Sequence, residues 1–271
     1  MQGASRATFA AGQERLEALL SSAGTDPAAL GEDLFSVTNL LAANPGLRRA
    51  LTDPSRSGEA KAALVARLLG GKVGGPSVDV VSGLVRGRWS RAGDLTDAVE
   101  QLAVSAVLAG AERAGRLDAV EDELFRFSRI IAGDQGLRDA VSSRSEGVDR
   151  KSALVTTLLG GKAAPETVRL AVQAATAPRG LRTEYVLEGY VDAAAHRRQQ
   201  LVAHVVAALP LDERQRARLA AALTAQYGRA IRLNIDIDPS VIGGIRVEVS
   251  GEVVDGTLSA RLDDARRRLA G

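Results

Sequence analysis

Hydrophobic positions along most of the chain recur every three to four residues, which is the spacing of one face of an α-helix. A clear example is the stripe of Leu124, Phe127, Ile130 and Ile131, which Gly133 ends. The same reasoning predicts a short helix over residues 136–141. Further helices are predicted around Leu154, Val155, Leu158 and Leu159, from Pro165 to Ala177, and around Leu181, Tyr185, Leu187 and Val191.

Near residue 200 the pattern changes from a helical period to strict alternation. Strands are predicted from Leu201 to Ala207, from Ile231 to Ile237 and from Ile245 to Val249, because apolar and polar side chains alternate there. Asp212 is expected to cap an intervening helix whose stripe is Leu219, Ala222, Leu223 and Tyr227. A hairpin at Ser250–Gly251, a return strand at Val253–Val254 and a last helix with Leu258, Leu262, Ala265 and Leu269 complete the order.

The helical part of the sequence contains an internal repeat. Residues 35–72 align with residues 125–162 at a constant offset of 90, with 16 identities in 38 positions. The four lysines of the chain form two equivalent pairs, Lys61 with Lys151 and Lys72 with Lys162. Such a pattern indicates a duplicated domain. Residues 92–114 are predicted to form one long helix that ends the first copy and begins the second.

These patterns predict a mainly α protein with a small α+β domain at the C-terminus. We expect two tandem helical bundles of about six helices each, followed by a β-α-β-β-α module. The predicted domains are an extra helical bundle over residues 1–94, a second bundle over residues 95–199 and the α+β domain over residues 200–271. On length alone, 271 residues leave room for about two domains.

The amino-acid composition excludes several classes of function but indicates none directly. With 45% hydrophobic and 25% charged residues the chain is globular, and with no cysteine it has no disulfide framework and no thiol catalysis. A net charge of +2 is too mild to indicate a nucleic-acid partner. No apolar run approaches the roughly 18 residues of a membrane span and no signal peptide is visible, so we expect a soluble protein.

Residue types with catalytic or ligand-binding potential are few. The segment Leu-Leu-Gly-Gly-Lys resembles the end of a phosphate-binding loop, but Ala66 and Thr156 stand where that loop needs its first glycine. Gly-Gly after a helix is typical of a C-cap instead. His196 and His204 have no carboxylate at ligand spacing, so we interpret both as structural or surface residues. No catalytic, metal-binding or cofactor-binding residue is therefore predicted.

The C-terminal segment resembles the signature of the delta subunit of F-type ATP synthases, the oligomycin-sensitivity-conferring protein of mitochondria. The resemblance rests on Asp-Pro-Ser-Val-Ile-Gly-Gly over residues 238–244 and on Val-Val-Asp-Gly-Thr over residues 253–257. It covers the chain from about residue 95, and the extra helical copy resembles the actinobacterial arrangement. The signature residues are Asp238, Pro239, Ile242, Gly243, Gly244, Asp255, Gly256 and Leu262.

This resemblance implies a non-catalytic stator in the peripheral stalk of a proton-transporting ATP synthase. The helical domain would bind N-terminal helices of the alpha subunits, and the C-terminal domain would bind the C-terminal segment of the membrane-anchored b subunit. The alpha groove would lie between residues 95–114 and 165–177. Its candidate residues are Leu102, Val107, Leu108, Val168 and Val172.

The expected location is the cytoplasmic face of the bacterial cell membrane, with membrane contact only through partners and with no homo-oligomer or nucleic-acid partner. The added copy is expected either to bind a second helix from the alpha subunits or to brace the stalk. Deletion of residues 1 to about 90 is expected to leave a folded chain that still binds alpha. The alternative function is RNA binding through the arginine-rich C-terminal module, which predicts steeply salt-dependent affinity.

Overall fold

The computed structural model describes residues 3–22, 24–143, 146–199, 201–228, 231–238, 244–249 and 252–255. The chain divides into two compact units, Met1–Ala195 and His196–Gly271. The first contains only helices among its described residues, and the second contains a sheet with a helix. The predicted class, mainly α with a small α+β part, is therefore confirmed, while the three-part division at residues 94 and 199 stays a prediction.

Eleven helices lie in the described part of the chain before residue 200. Five of them precede the long sixth helix, and five follow it. They are α1 (Ala4–Ser21), α2 (Pro27–Ala43), α3 (Pro45–Thr52), α4 (Gly58–Leu69), α5 (Gly75–Arg86), α6 (Ala92–Arg113), α7 (Leu117–Gly133), α8 (Gln135–Ser142), α9 (Val148–Leu159), α10 (Pro165–Thr176) and α11 (Thr183–Gln199).

The helix boundaries follow from local chemistry. Proline opens α2, α3 and α10, where the missing N–H group costs nothing because the first turn has no intrahelical acceptor for it. The side chain of Asp26 caps α2 by accepting a hydrogen bond from the backbone N–H of Ala28. Gly71 and Gly161 follow α4 and α9 with φ angles of 73° and 71°, which confirms the predicted helix ends.

The helix α6 belongs to both copies of the repeat, as the last helix of the first copy and the first helix of the second. At the offset of 90 residues, α1 corresponds to α6, α2 to α7, α5 to α10 and α6 to α11. The predicted long helix is thus confirmed as one continuous element of 22 residues. It is buried on nearly all sides, as a helix must be when it packs against neighbours from two bundles. One continuous hydrophobic core runs through both copies around α6.

Some residues of the predicted apolar stripes lie on the surface. Ile130, Leu181 and Tyr185 are 56%, 62% and 57% exposed, and Leu158 is 37% exposed. Ala222 of the C-terminal unit is exposed as well. Periodicity identifies the apolar side of a helix, but it does not determine how much of that side a neighbouring element covers.

The C-terminal unit contains β1 (Leu201–Ala207), α12 (Glu213–Tyr227), β2 (Ile231–Ile237), β3 (Ile245–Val249) and β4 (Glu252–Asp255). The sheet order is β2-β1-β3-β4, with β1 parallel to β2 and the other two pairs antiparallel. The helix α12 provides the crossover that a parallel pair requires. Its N-terminus is fixed by a capping box between Asp212 and Gln215.

The core of this unit is small. It consists of Ala203, Val205, Leu223, Val247 and Val249, with partly buried apolar residues around them. The predicted hairpin between β3 and β4 is confirmed by their antiparallel pairing. The turn at residues 250–251 and the predicted last helix after residue 255 lie outside the described residues. Among the described residues, no helix is long and apolar enough to cross a membrane.

Candidate interaction surfaces

The groove between α6 and α10 is filled by α2 of the first copy. At Gly31, a Cβ atom would lie only 2.7 Å from Cγ2 of Val107 and 3.4 Å from the carbonyl oxygen of Ala103. The two helices therefore approach so closely that only a residue without a side chain fits at this position. Near the N-terminus of α2, a Cβ atom at Gly110 of α6 would lie 3.6 Å from Cβ of Pro27.

Polar contacts hold α2 against α10. The guanidinium group of Arg169 lies over the ring of Phe35 at 4.5 Å from its centroid and forms an ion pair with Glu32. The amide of Gln173 donates a hydrogen bond to Asn39 over 3.3 Å. Phe35 is 0% exposed, so the cation–π contact lies in a desolvated setting where such contacts are strongest.

This packing changes the surface on which an N-terminal helix of the alpha subunit was predicted to bind. Leu102 and Leu108 are 0% exposed and Val107 is 4% exposed, so these three residues belong to the core of the chain. Val168 and Val172 on α10 remain half-buried. The structure thus does not bring the five residues together as an open groove, because α2 covers the α6 side.

Sequence reasoning missed α2 as the element that covers α6. Two signals were present in the sequence. Gly31 stands in the middle of a helical stripe, where glycine is unfavourable unless close packing requires it. The pair Glu32 and Phe35 recurs at the repeat offset as Asp122 and Phe125, which marks the face as a feature of the duplicated domain.

A buried polar network ties α11 to α6. The hydroxyl of Tyr190 donates a hydrogen bond to Glu100 over 2.9 Å, and Arg179 donates to both Glu100 and Asp97. Burial, with the negative charge of Glu100, raises the pKa of Tyr190 well above its ordinary value. Burial alone would lower the pKa of Arg179, but its two carboxylate partners outweigh that effect and raise it. The network therefore keeps a charged guanidinium group and a neutral phenol, which suits a structural role.

A second buried carboxylate joins α1 to α6. Asp94 is 1% exposed and accepts hydrogen bonds from Ser5 over 2.8 Å and from Arg91 over 2.9 Å. Burial by itself would raise the pKa of Asp94, but these two donors outweigh burial and lower it. The carboxylate is thus stabilised as an anion at the start of the central helix.

The lysines shared by the two copies serve packing. Lys61 and Lys151 are 4% and 8% exposed. The ammonium group of Lys61 donates to the carbonyl oxygen of Gly87 over 3.2 Å, and burial lowers its pKa. Lys72 and Lys162 follow the helix-ending Gly-Gly pairs, so the resemblance to a phosphate-binding loop is explained by helix termination.

The structure describes only part of the C-terminal signature. Asp238 follows β2 and donates its backbone N–H to the carbonyl oxygen of Ala207, while Gly244 has a φ of 85° and precedes β3. That angle lies in the left-handed region, which favours glycine. Asp255 is the last residue of β4. Pro239, Ile242, Gly243, Gly256 and Leu262 lie outside the described residues.

In the part of the chain that the structure describes, no group of three or more histidine, cysteine, aspartate or glutamate residues is arranged to hold a metal ion. His196 lies near the C-terminus of α11, and His204 lies in β1.

The comparisons with known proteins agree on one family. The family model described as ATP synthase delta (OSCP) subunit matches residues 103–269 of the chain. A protein of Kineococcus radiotolerans called ATP synthase subunit delta is 54% identical over 99% of this chain and 98% of its own length. Proteins with the same name from Streptomyces griseus and Streptomyces coelicolor are each 52% identical over 100% of this chain, and over 100% and 98% of their own lengths. These names give no support to the RNA-binding alternative.

Proposed function

Because this chain belongs to the ATP synthase delta (OSCP) subunit family, we propose that it links the alpha subunits of the catalytic head to the membrane-anchored b subunit. It is a structural subunit of the peripheral stalk and carries no catalysis by itself. In this proposal the helical unit binds N-terminal helices of alpha, and the C-terminal unit binds the C-terminal segment of b. Its place is the cytoplasmic face of the membrane, reached through b.

The observation that carries the proposal is identity over the full chain. The relatives from Kineococcus and Streptomyces match the added helical copy as well as the C-terminal unit, since they cover 99% to 100% of the chain. The added copy is therefore part of the subunit in these relatives too, and a function for the whole chain must include it.

The physical properties of the helical unit suit a stator. A stator must transmit torque without yielding, so its modules need well-packed cores and few soft connections. The core of the helical unit runs continuously through both copies, and α6 belongs to both. A load applied to one copy therefore reaches the other through a single helix rather than through a flexible linker.

We place the alpha contact on the exposed side of α10. Val168 and Val172 are the two residues of the predicted groove that remain half-buried, whereas Leu102, Val107 and Leu108 lie in the core. An amphipathic helix of alpha would bury these valines by the helix-in-groove mode. Binding deeper in the α6–α10 groove would require α2 to move away.

The experiment is calorimetry on the full chain with two synthetic partners, an alpha N-terminal helix and a b C-terminal segment. We expect dissociation constants in the low micromolar range or tighter, which corresponds to about −8 kcal/mol. Val168→Asp should weaken alpha binding and leave b binding unchanged. If neither partner binds, while RNA binds with a steep salt dependence, the stator proposal is overturned.

A further inference from the structure

Helix α7 repeats the surface with which α2 receives Arg169. Asp122 and Phe125 stand three residues apart on α7, as Glu32 and Phe35 do on α2, at the repeat offset of 90. Residues three apart lie on the same face of a helix, so each pair presents a carboxylate beside an aromatic ring.

The two faces differ in what covers them. Phe35 is 0% exposed beneath Arg169 of α10, whereas Phe125 is 52% exposed. At the repeat offset, a helix that covered α7 as α10 covers α2 would lie 90 residues after α10. The helical unit ends before that position. The α7 face thus carries the same pair of side chains as α2 but lacks the arginine-bearing helix that covers them there.

We propose that the α7 face, defined by Asp122 and Phe125, binds an amphipathic helix of a different polypeptide that inserts an arginine between Asp122 and Phe125. The inference rests on the proposed function, because it assigns the occupant to another subunit of the complex. The arginine would stack on the ring of Phe125 and pair with Asp122.

The charge pattern selects arginine over other side chains. A planar guanidinium group can stack on a ring and pair with a carboxylate simultaneously, which a lysine ammonium group does less well. Asp122 pairs with Arg126 on its own helix over 2.8 Å, with side chains 53% and 73% exposed. Such an exposed pair contributes little to stability, so exchanging it for a partner's arginine costs little.

A second copy of this chain fits the α7 face poorly as an occupant. The side chain that plays this part inside the molecule, Arg169, is already engaged by Glu32 and Phe35 of the same chain. A second copy would have to break that contact to supply it. A helix of another subunit carries no such cost.

The first test measures whether the α7 face becomes covered in the complex. The chain has no cysteine, so Arg126→Cys introduces a single thiol beside Phe125, and Ser36→Cys places a matched thiol at the equivalent exposed position on α2. We expect maleimide to label Arg126→Cys about tenfold more slowly in the assembled ATP synthase than in the free chain. The Ser36→Cys rate shows how far assembly shields the first copy. Equal labelling of Arg126→Cys in both states would overturn the proposal.

The second test measures the chemistry of binding. The chain and its variants are titrated onto ATP synthase depleted of this subunit. Phe125→Ala should weaken binding about tenfold, and Phe125→Leu should recover only part of the loss because leucine restores apolar volume without a ring face. Asp122→Asn should weaken binding as well. Wild-type affinity in Phe125→Ala would overturn this inference alone, whereas failure of the wild-type chain to bind would overturn the proposed function.

Self-association is the remaining outcome. Sedimentation of the wild-type chain should show a monomer. A dimer that Phe125→Ala disrupts would identify a second copy as the occupant of the α7 face and so contradict the proposal.

Discussion

At the scale of single residues, Gly31 decides how closely α2 approaches α6. Glycine inside a helix lowers helix stability by about 0.5–1 kcal/mol relative to alanine. Here it removes the side chain that would collide with Val107. The close packing that results places Phe35 and Glu32 within reach of Arg169, so one missing methyl group determines the contact between the copies.

Replacement of Gly31 by alanine tests this interpretation. The added methyl group would lie 2.7 Å from Cγ2 of Val107, and the resulting overpacking costs about 1–3 kcal/mol, more than the helix gains. We expect a lower urea midpoint of unfolding. Gly110→Ala is the matched control, because its Cβ would meet Pro27 at an ordinary 3.6 Å. Equal stability of both variants would contradict close packing at Gly31.

Asp94 makes the stability of the helical unit depend on acidic pH. Its folded-state pKa lies below the ordinary value of 3.8, so its contribution is fully present above that value and is lost as pH falls through the folded pKa. Asp94→Asn should lower the unfolding free energy at pH 7 by about 1–3 kcal/mol, because Ser5 and Arg91 lose a charged acceptor.

The measurement for Asp94 is a series of urea titrations between pH 6 and about pH 2. We expect the difference between wild type and Asp94→Asn to shrink as the pH drops below the ordinary pKa. A difference that stays constant across the series would show that ionisation of Asp94 does not contribute.

At the scale of elements, α2 and α7 show how one sequence pattern gives two environments. Both helices descend from the same repeat and carry a carboxylate and a phenylalanine at equivalent positions. On α2 the ring of Phe35 lies beneath Arg169 of α10, whereas α7 contacts α10 through Glu123 and leaves Phe125 exposed. The sequence pattern thus predicts a helix with an apolar face in both cases, while the position in the chain decides whether that face becomes core or surface.

Paired alanine substitutions separate these two environments. Phe35→Ala removes a ring that is 0% exposed and should destabilise the chain by about 3–5 kcal/mol. Phe125→Ala removes a ring that is 52% exposed and should change stability by less than about 0.5 kcal/mol. Thermal or urea unfolding of both variants is the measurement. A large loss in Phe125→Ala would show that α7 is covered within the chain itself.

At the scale of the whole molecule, the two helical copies form one core rather than two. The helix α6 is central to both copies, and α2 of the first copy covers α6 and α10 of the second. The duplication has therefore produced a single helical unit, and the C-terminal unit has a core of its own. This arrangement leads to a different expectation for truncation from that of the sequence alone.

Removal of residues 1–90 should leave an exposed apolar face on α6. Ala103 and Val107, both buried by α2 in the full chain, would meet water. We expect residues 91–271 to be less stable than the full chain and to bind the dye ANS or self-associate. Residues 1–195, which keep the helical unit whole, serve as the control. A monomeric 91–271 chain with the stability of the control would show that α2 is dispensable.

The sequence by itself determined the class of the fold, the helix ends, the repeat and the family. These features depend on local chemistry and on the order of residues: proline at helix starts, Gly-Gly after α4 and α9, alternation in β2 and β3, and the signature around Asp238. The functional class followed from that signature, because it is a property of the chain's order and needs no contacts.

Only the tertiary structure decided which apolar faces are core and which are surface. Leu102, Val107 and Phe125 look alike as members of helical stripes, yet the first two lie in the core and the third lies half-exposed. The physical reason is that burial depends on a neighbour distant in sequence. For α6 that neighbour is α2, which packs closely at Gly31 and pairs with Arg169. For Phe125 of α7, the helical unit has no helix in the place that α10 takes beside Phe35.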